Sequence, residues 1–197
     1  MDRKKIQYIS KTGLGIALIL AAQMIGKMLP TGFIILGPFN FNQLITGSVV
    51  NSVLILLTVE ATSSLRGLSS AITAGIISSI MAMLVQIGPI FPQVVIFIAL
   101  SNIILVFLIY ILYSRKYSFK KDSTIAFIVS ILISAGIKFL FLKTTIPFAL
   151  KLIKEISDQQ SKILTVMFSW PQLFTALIGG FLALSIHRIL KINNNIK

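Results

Sequence analysis

The sequence predicts an all-α integral membrane protein, a six-transmembrane-helix bundle forming a single domain over residues 1–197. Three observations predict it. Of the 197 residues, 56% are hydrophobic and only 12% are charged, about half the charged share of a soluble domain. The mean hydropathy is +0.95, and the apolar runs recur at lengths near the roughly 20 residues that carry a helix across hydrocarbon. Finally, the runs are separated by Pro and Gly: Pro30 with Gly32, Gly37 with Pro38, Gly88 and Pro89 with Pro92, and Pro147.

These breaks leave six spans, at 12–29, 43–59, 68–87, 93–113, 124–142 and 171–189. The polar, basic start (Arg3, Lys4, Lys5, Lys11) precedes a long apolar run without a small-x-small cleavage site. It reads as a retained first helix and not as a signal peptide. Helix one carries Gly13, Ala17 and Ala21 at intervals of four, with Ala22 and Gly26 beside them. Small residues at that interval let another helix approach closely, either within the bundle or on a partner subunit. Phe39, Asn40 and Asn42 fall in the following loop, and helix two begins at Gln43. Helix three is lined by Ser70, Thr73, Ala74, Ser78 and Ala82, small residues suited to packing.

Helix four begins at Gln93, and Phe91, Val95, Ile98 and Asn102 share one of its faces. Helix five carries Lys138, with Ser134 one turn before it. An ammonium in hydrocarbon costs roughly 2.5–3.5 kcal/mol. Lys138 therefore either faces a pocket or snorkels to the headgroups. Between 143 and 169, Phe148, Leu152, Ile153 and Ile156 recur at helical spacing among charged residues. This predicts an amphipathic surface helix, serving as a lid or as a connector. Helix six starts at Trp170-Pro171-Gln172, and Gln172, Thr175, Ala176 and Gly179 share a face. Trp170 is either a pocket wall or a membrane-interface residue.

The net charge is +13. In a membrane chain this charge sets topology and meets anionic lipid, and it does not call for nucleic acid. With the N-terminus inside, the inner segments hold Arg3, Lys4, Lys5, Lys11, Arg66, Arg115, Lys116, Lys120, Lys121, Arg188, Lys191 and Lys197. The outer side holds Lys27, Lys143, Lys151, Lys154 and Lys162. The bias favours both termini in the cytoplasm of a multi-pass cell-membrane protein.

The chemistry the chain excludes is as informative. It has no cysteine, and its one histidine, His187, lies in a basic helix end. It has no HExxH, GxSxG or GxxxxGK[ST] sequence. The acids Asp2, Glu60, Asp122, Glu155 and Asp158 all fall outside the expected spans, which argues against a proton relay or a hard-metal site. No catalytic residue, metal or cofactor is expected, and the chain does not read as an enzyme.

The outer halves of helices four to six thus place an amide, an ammonium, an aromatic ring and a second amide at similar depth. About 200 residues, six spans, the spacing Gly13/Ala17/Ala21, the segment from Pro92 to Asn102, Lys138-Phe139-Leu140, and Ser169-Trp170-Pro171-Gln172 running into Thr175–Gly180 together resemble the S component of an energy-coupling factor (ECF) transporter. The family pattern on helix one usually has alanine at both positions, and Gly13 departs from it. The resemblance implies a subunit that binds a vitamin or related micronutrient from outside in a pocket at the outer parts of helices four to six. It also implies that helix one (Gly13, Ala17, Ala21) docks on a transmembrane T subunit coupled to two ATPases. In that pocket Lys138 suits a carboxylate or phosphate, and Trp170, Phe91 or Phe39 suits a ring. Asn102, Gln172, Gln93 and Gln43 supply hydrogen bonds, with Asn40 and Asn42 closing over the site. A small, partly anionic nutrient is the expected ligand. The alternatives are a ligand-free structural or assembly subunit and a membrane-embedded enzyme, the latter lacking the clustered His or acids it would need.

Overall fold

The computed structural model describes residues 3–28, 34–36, 39–60, 65–86, 91–114, 124–153 and 156–195. In chain order the elements are α1 (Arg3–Met28), β1 (Ile34–Leu36), β2 (Phe39–Asn40), α2 (Phe41–Glu60), α3 (Leu65–Leu84), α4 (Pro92–Ile109), a π-helical turn (Tyr110–Ser114), α5 (Thr124–Lys151) and α6 (Asp158–Asn195). Six of the helices are long and apolar enough to cross a membrane, and the protein is an all-α multi-pass membrane bundle. β1 and β2 form a small antiparallel hairpin ahead of α2.

α2 packs against α1, α3, α4 and α6, and α6, α5, α4 and α3 follow one another around it. Of the α2 span 56% is buried, against 22% of the α1 span, so α2 is central and α1 lies on the outside of α2 and α3. Three apolar clusters fill the interior. Ile55, Leu105, Phe127, Ile131 and Ala183 join α2, α4, α5 and α6. Ile19, Leu54, Ala71 and Val106 join α1 to α4. Val94, Ile98, Leu142, Ile146 and Leu150 join α4 to α5. Large apolar side chains such as Leu14, Ile96, Ile125 and Leu140 are exposed on the outer faces, as a chain solvated by lipid requires.

Glycine sets the closest approaches. A Cβ on Gly179 would lie 2.5 Å from the Ser48 carbonyl oxygen and 2.8 Å from Asn51 Cβ, so α6 meets the backbone of α2 there. A Cβ on Gly47 would lie 2.7 Å from Thr175 Cγ2, and one on Gly75 3.2 Å from Asn102 Cβ. These contacts bring the polar residues of α2, α3, α4 and α6 within reach of one another.

The last two helices depart from the sequence expectation. α5 continues to Lys151 with Pro147 inside it, and α6 begins at Asp158 with Pro171 inside it. The amphipathic segment expected between 143 and 169 is therefore not a separate surface helix. Its first part is the end of α5, with Ala149 and Leu150 buried against α4, and its last part is the start of α6. Proline removes one backbone donor, a loss that a packed membrane bundle tolerates. Thr144 and Thr145 bond back to Phe141 near Pro147, and Ser169 bonds to the Thr165 carbonyl near Pro171. Asn42, expected in the preceding loop, is buried within α2.

Candidate functional site

At the middle of the bundle a polar cluster interrupts the apolar core. Lys138 on α5 is completely buried. It lies roughly 20 Å from either end of its helix at 1.5 Å per residue, and its side chain is turned into the bundle. Its Nζ donates to Asn51 Oδ1 on α2 at 2.9 Å and to Asn102 Oδ1 on α4 at 2.7 Å. An ammonium can only donate, so each asparagine must turn its oxygen to the lysine and its nitrogen away.

That polarity propagates outward. Asn51 Nδ2 donates to the Gly47 carbonyl at 2.8 Å and to Thr175 Oγ1 on α6 at 3.2 Å. Thr175 Oγ1 in turn donates to the Gln172 carbonyl at 3.2 Å. Asn102 Nδ2 donates to Ser79 Oγ on α3 at 3.1 Å and points to the Gly75 carbonyl at 3.4 Å. Ser79 Oγ donates to Gly75 as well, at 2.9 Å. One lysine thus orients two amides and ties five helices, and among the described residues its partners are neutral. Hydrogen-bonded networks of this kind rigidify a core.

Above this cluster a cavity opens at the end of the bundle where α1 and α3 finish and α2, α4 and α6 begin. The cavity volume is about 90 Å³. Asn51, Asn102, Ser79 and Thr175 form part of its lining, and Gln23, Gln43, Thr46, Ser78 and Gln172 add polar groups. Val50, Val95, Ile98, Met167, Phe168 and Pro171 supply apolar wall. No charged side chain lines the cavity among the described residues. Gln23 is nearly buried; its Nε2 donates to the Ser78 carbonyl at 2.8 Å, and its Oε1 has no hydrogen-bond partner.

Of the residues singled out in the sequence, Asn102, Gln43 and Gln172 meet in this cavity. Lys138 does not line it; the lysine is held beneath, behind Asn51 and Asn102. Trp170 is 40% exposed on the outer surface. Its ring meets Phe139 at 5.0 Å and Phe174 at 6.3 Å, away from the lining. Phe91 packs with Val94, Ile98 and Leu142, and neither it nor Gln93 lines the cavity. Asn40 belongs to β2, and its side chain, with that of Phe39, falls outside the described residues. Gly13, Ala17 and Ala21 are exposed on α1, and nothing lies within 4 Å of a Cβ placed on Gly13. This stripe is turned away from the bundle, whose contacts on α1 run instead through Gly15, Ile19 and Gln23.

Asn51, Gln23 and Ser79 complete the site and were not expected there; Thr175 joins them from the face it shares with Gln172. Asn51 carried the same signal as Asn102, an amide deep in an apolar span. Among the described residues no three His, Cys, Asp or Glu side chains gather to hold a metal ion. No protein-family model, curated protein or solved structure matches this chain.

Proposed function

We propose that the protein is the substrate-capture (S) subunit of an ECF-type importer. On this reading it binds a vitamin or related micronutrient from outside the cell and delivers it through a T subunit and two ATPases. The observation that carries the proposal is the cavity at one end of the bundle, with amides and hydroxyls directed into an otherwise apolar wall, the usual make-up of a small-molecule site. With the N-terminus inside, as the basic residues favour, that end faces outward. The exposed small-residue face of α1 supports a docking role, since Gly13, Ala17 and Ala21 are exposed and nothing lies within 4 Å of a Cβ on Gly13.

A ligand-free assembly subunit is favoured by one observation, that the described bonds of the Lys138 cluster all run between its own side chains and backbone. Native mass spectrometry of the full chain in detergent separates the two readings. A co-purified molecule of a few hundred daltons, lost on substitution of a cavity residue, is expected for a capture subunit. An empty protein whose melting temperature no vitamin or metabolite extract shifts overturns that reading. Ala17→Trp tests docking: uptake is expected to fall while ligand binding stays, and loss of neither would remove α1 as the docking face.

A further inference from the structure

The lining is selective about what it admits, and the selection differs from the one Lys138 suggested in the sequence. A buried lysine reads as a partner for a carboxylate or phosphate. Here both of its described bonds go to Asn51 and Asn102, beneath the floor. Turning it toward a ligand would strip both asparagine oxygens of their donor. The cavity itself presents no charged side chain among the described residues, so an anion would lose its hydration without an ionic partner.

Gln23 goes further. Its Nε2 donates to a backbone carbonyl, which can only accept, so the orientation of the carboxamide is fixed. Its Oε1 is then a buried acceptor with no donor from the protein, on a residue that lines the cavity. An anionic oxygen placed there would meet lone pairs. A ligand N–H or O–H that reaches it would supply the donor it lacks. Gln43 and Gln172, half-buried in the same lining, each offer a donor and an acceptor side by side.

We infer that the cavity takes an uncharged small molecule whose polar edge pairs an N–H donor with an adjacent acceptor, as in a lactam, cyclic urea or carboxamide-bearing heterocycle. Gln23 accepts from that donor, and Gln43 and Gln172 read the rest of the edge. This inference rests on the capture-subunit reading and narrows its ligand class.

The test uses the full chain in detergent or nanodiscs with two matched probe pairs, nicotinamide against nicotinate and uracil against orotate, followed by thermal shift and native mass spectrometry. A cell metabolite extract is applied in parallel, and any bound mass is identified. The neutral member of a pair is expected to bind and its anionic counterpart to bind about tenfold more weakly or not at all. Gln43→Leu and Gln172→Leu are each expected to weaken the neutral probe about 2- to 12-fold, the worth of one neutral hydrogen bond. Gln23→Leu is expected to do the same, and because it also loses the bond to Ser78, its unliganded melting temperature is measured beside it. If only the extract yields a ligand, an uncharged donor-bearing molecule supports the inference and an anion overturns it. Preferred binding of nicotinate or orotate overturns the inference and leaves the capture reading standing. No binding from any probe or from the extract overturns both.

Discussion

Lys138 Nζ lies 2.7 Å from Asn102 Oδ1, a bond between two adjacent membrane helices far from either end of α5. The relationship decides more than one contact. It holds the lysine away from lipid, and it sends the Asn102 nitrogen toward Ser79 and Gly75 on α3. A residue that costs several kcal/mol to bury is thereby converted into the pin that aligns α3, α4 and α5 around the cavity floor.

Glycine substitutions should separate the packed face of the bundle from its free face. A Cβ on Gly179 meets the Ser48 carbonyl oxygen at 2.5 Å, and backbone cannot rotate aside. Gly179→Ala is expected to force α6 off α2 and destabilise the protein by about 1–3 kcal/mol. Gly13→Ala meets nothing within 4 Å and gains helix propensity, so its melting temperature should hold or rise. Thermal unfolding of both variants in detergent checks the contrast. Equal losses would mean that α1 is packed on its Gly13 side.

Trp170 is the only tryptophan in the chain, so intrinsic fluorescence reports one position. The indole is 40% exposed beside Phe139 and Phe174 on the outer surface. Brominated lipid is expected to quench its emission strongly, and a cavity ligand is expected to leave it unchanged. Trp170→Phe should keep ligand affinity within about twofold, because no hydrogen bond to ligand is lost. Emission that ligand quenches and brominated lipid does not would put Trp170 in the cavity wall.

These placements show how far the sequence carried. Six spans were legible because length and apolarity alone define them. Asn102, Gln43 and Gln172 were legible because a polar side chain in a span must find a partner. Lys138 was misjudged in depth because Pro147 read as a helix end, whereas α5 runs through it to Lys151. Trp170 was left between a pocket wall and the membrane interface, and its ring lies on the outer surface. Pro171 read as the first turn of helix six, yet α6 starts at Asp158. With lipid on one side and apolar core on the other, hydropathy does not tell which face of a membrane helix is which. Asn51 was passed over although it obeys the same rule as Asn102; its lysine partner lies 87 positions away, and no local pattern joins them.

Orientation is testable with unusual directness, because the chain contains no cysteine and single cysteines need no background correction. Ser157, exposed between α5 and α6, lies at the cavity end of the bundle. Gln7, exposed in the first turns of α1, lies at the other. In intact cells Ser157→Cys is expected to react with an impermeant maleimide, and Gln7→Cys only after permeabilisation. The reverse pattern would open the cavity to the cytoplasm and remove capture from outside.

The bond between Lys138 and Asn102 makes the most quantitative demand. Lys138→Met keeps the volume but leaves Asn51 and Asn102 each with a buried oxygen lacking its donor, at about 1–3 kcal/mol apiece. Asn102→Leu removes one acceptor from the lysine and the donor to Ser79. Each single variant should lower the melting temperature. In Lys138→Met/Asn102→Leu the orphaned pair is removed together, so the double variant should cost less than the two singles added, by about 0.5–3 kcal/mol. The saving should vanish when Asn102→Leu is replaced by a substitution of exposed Leu140, which has no part in the cluster. Strict additivity between Lys138 and Asn102 would mean that the two side chains are not partners in the membrane, and the pinned floor of the cavity would go with them.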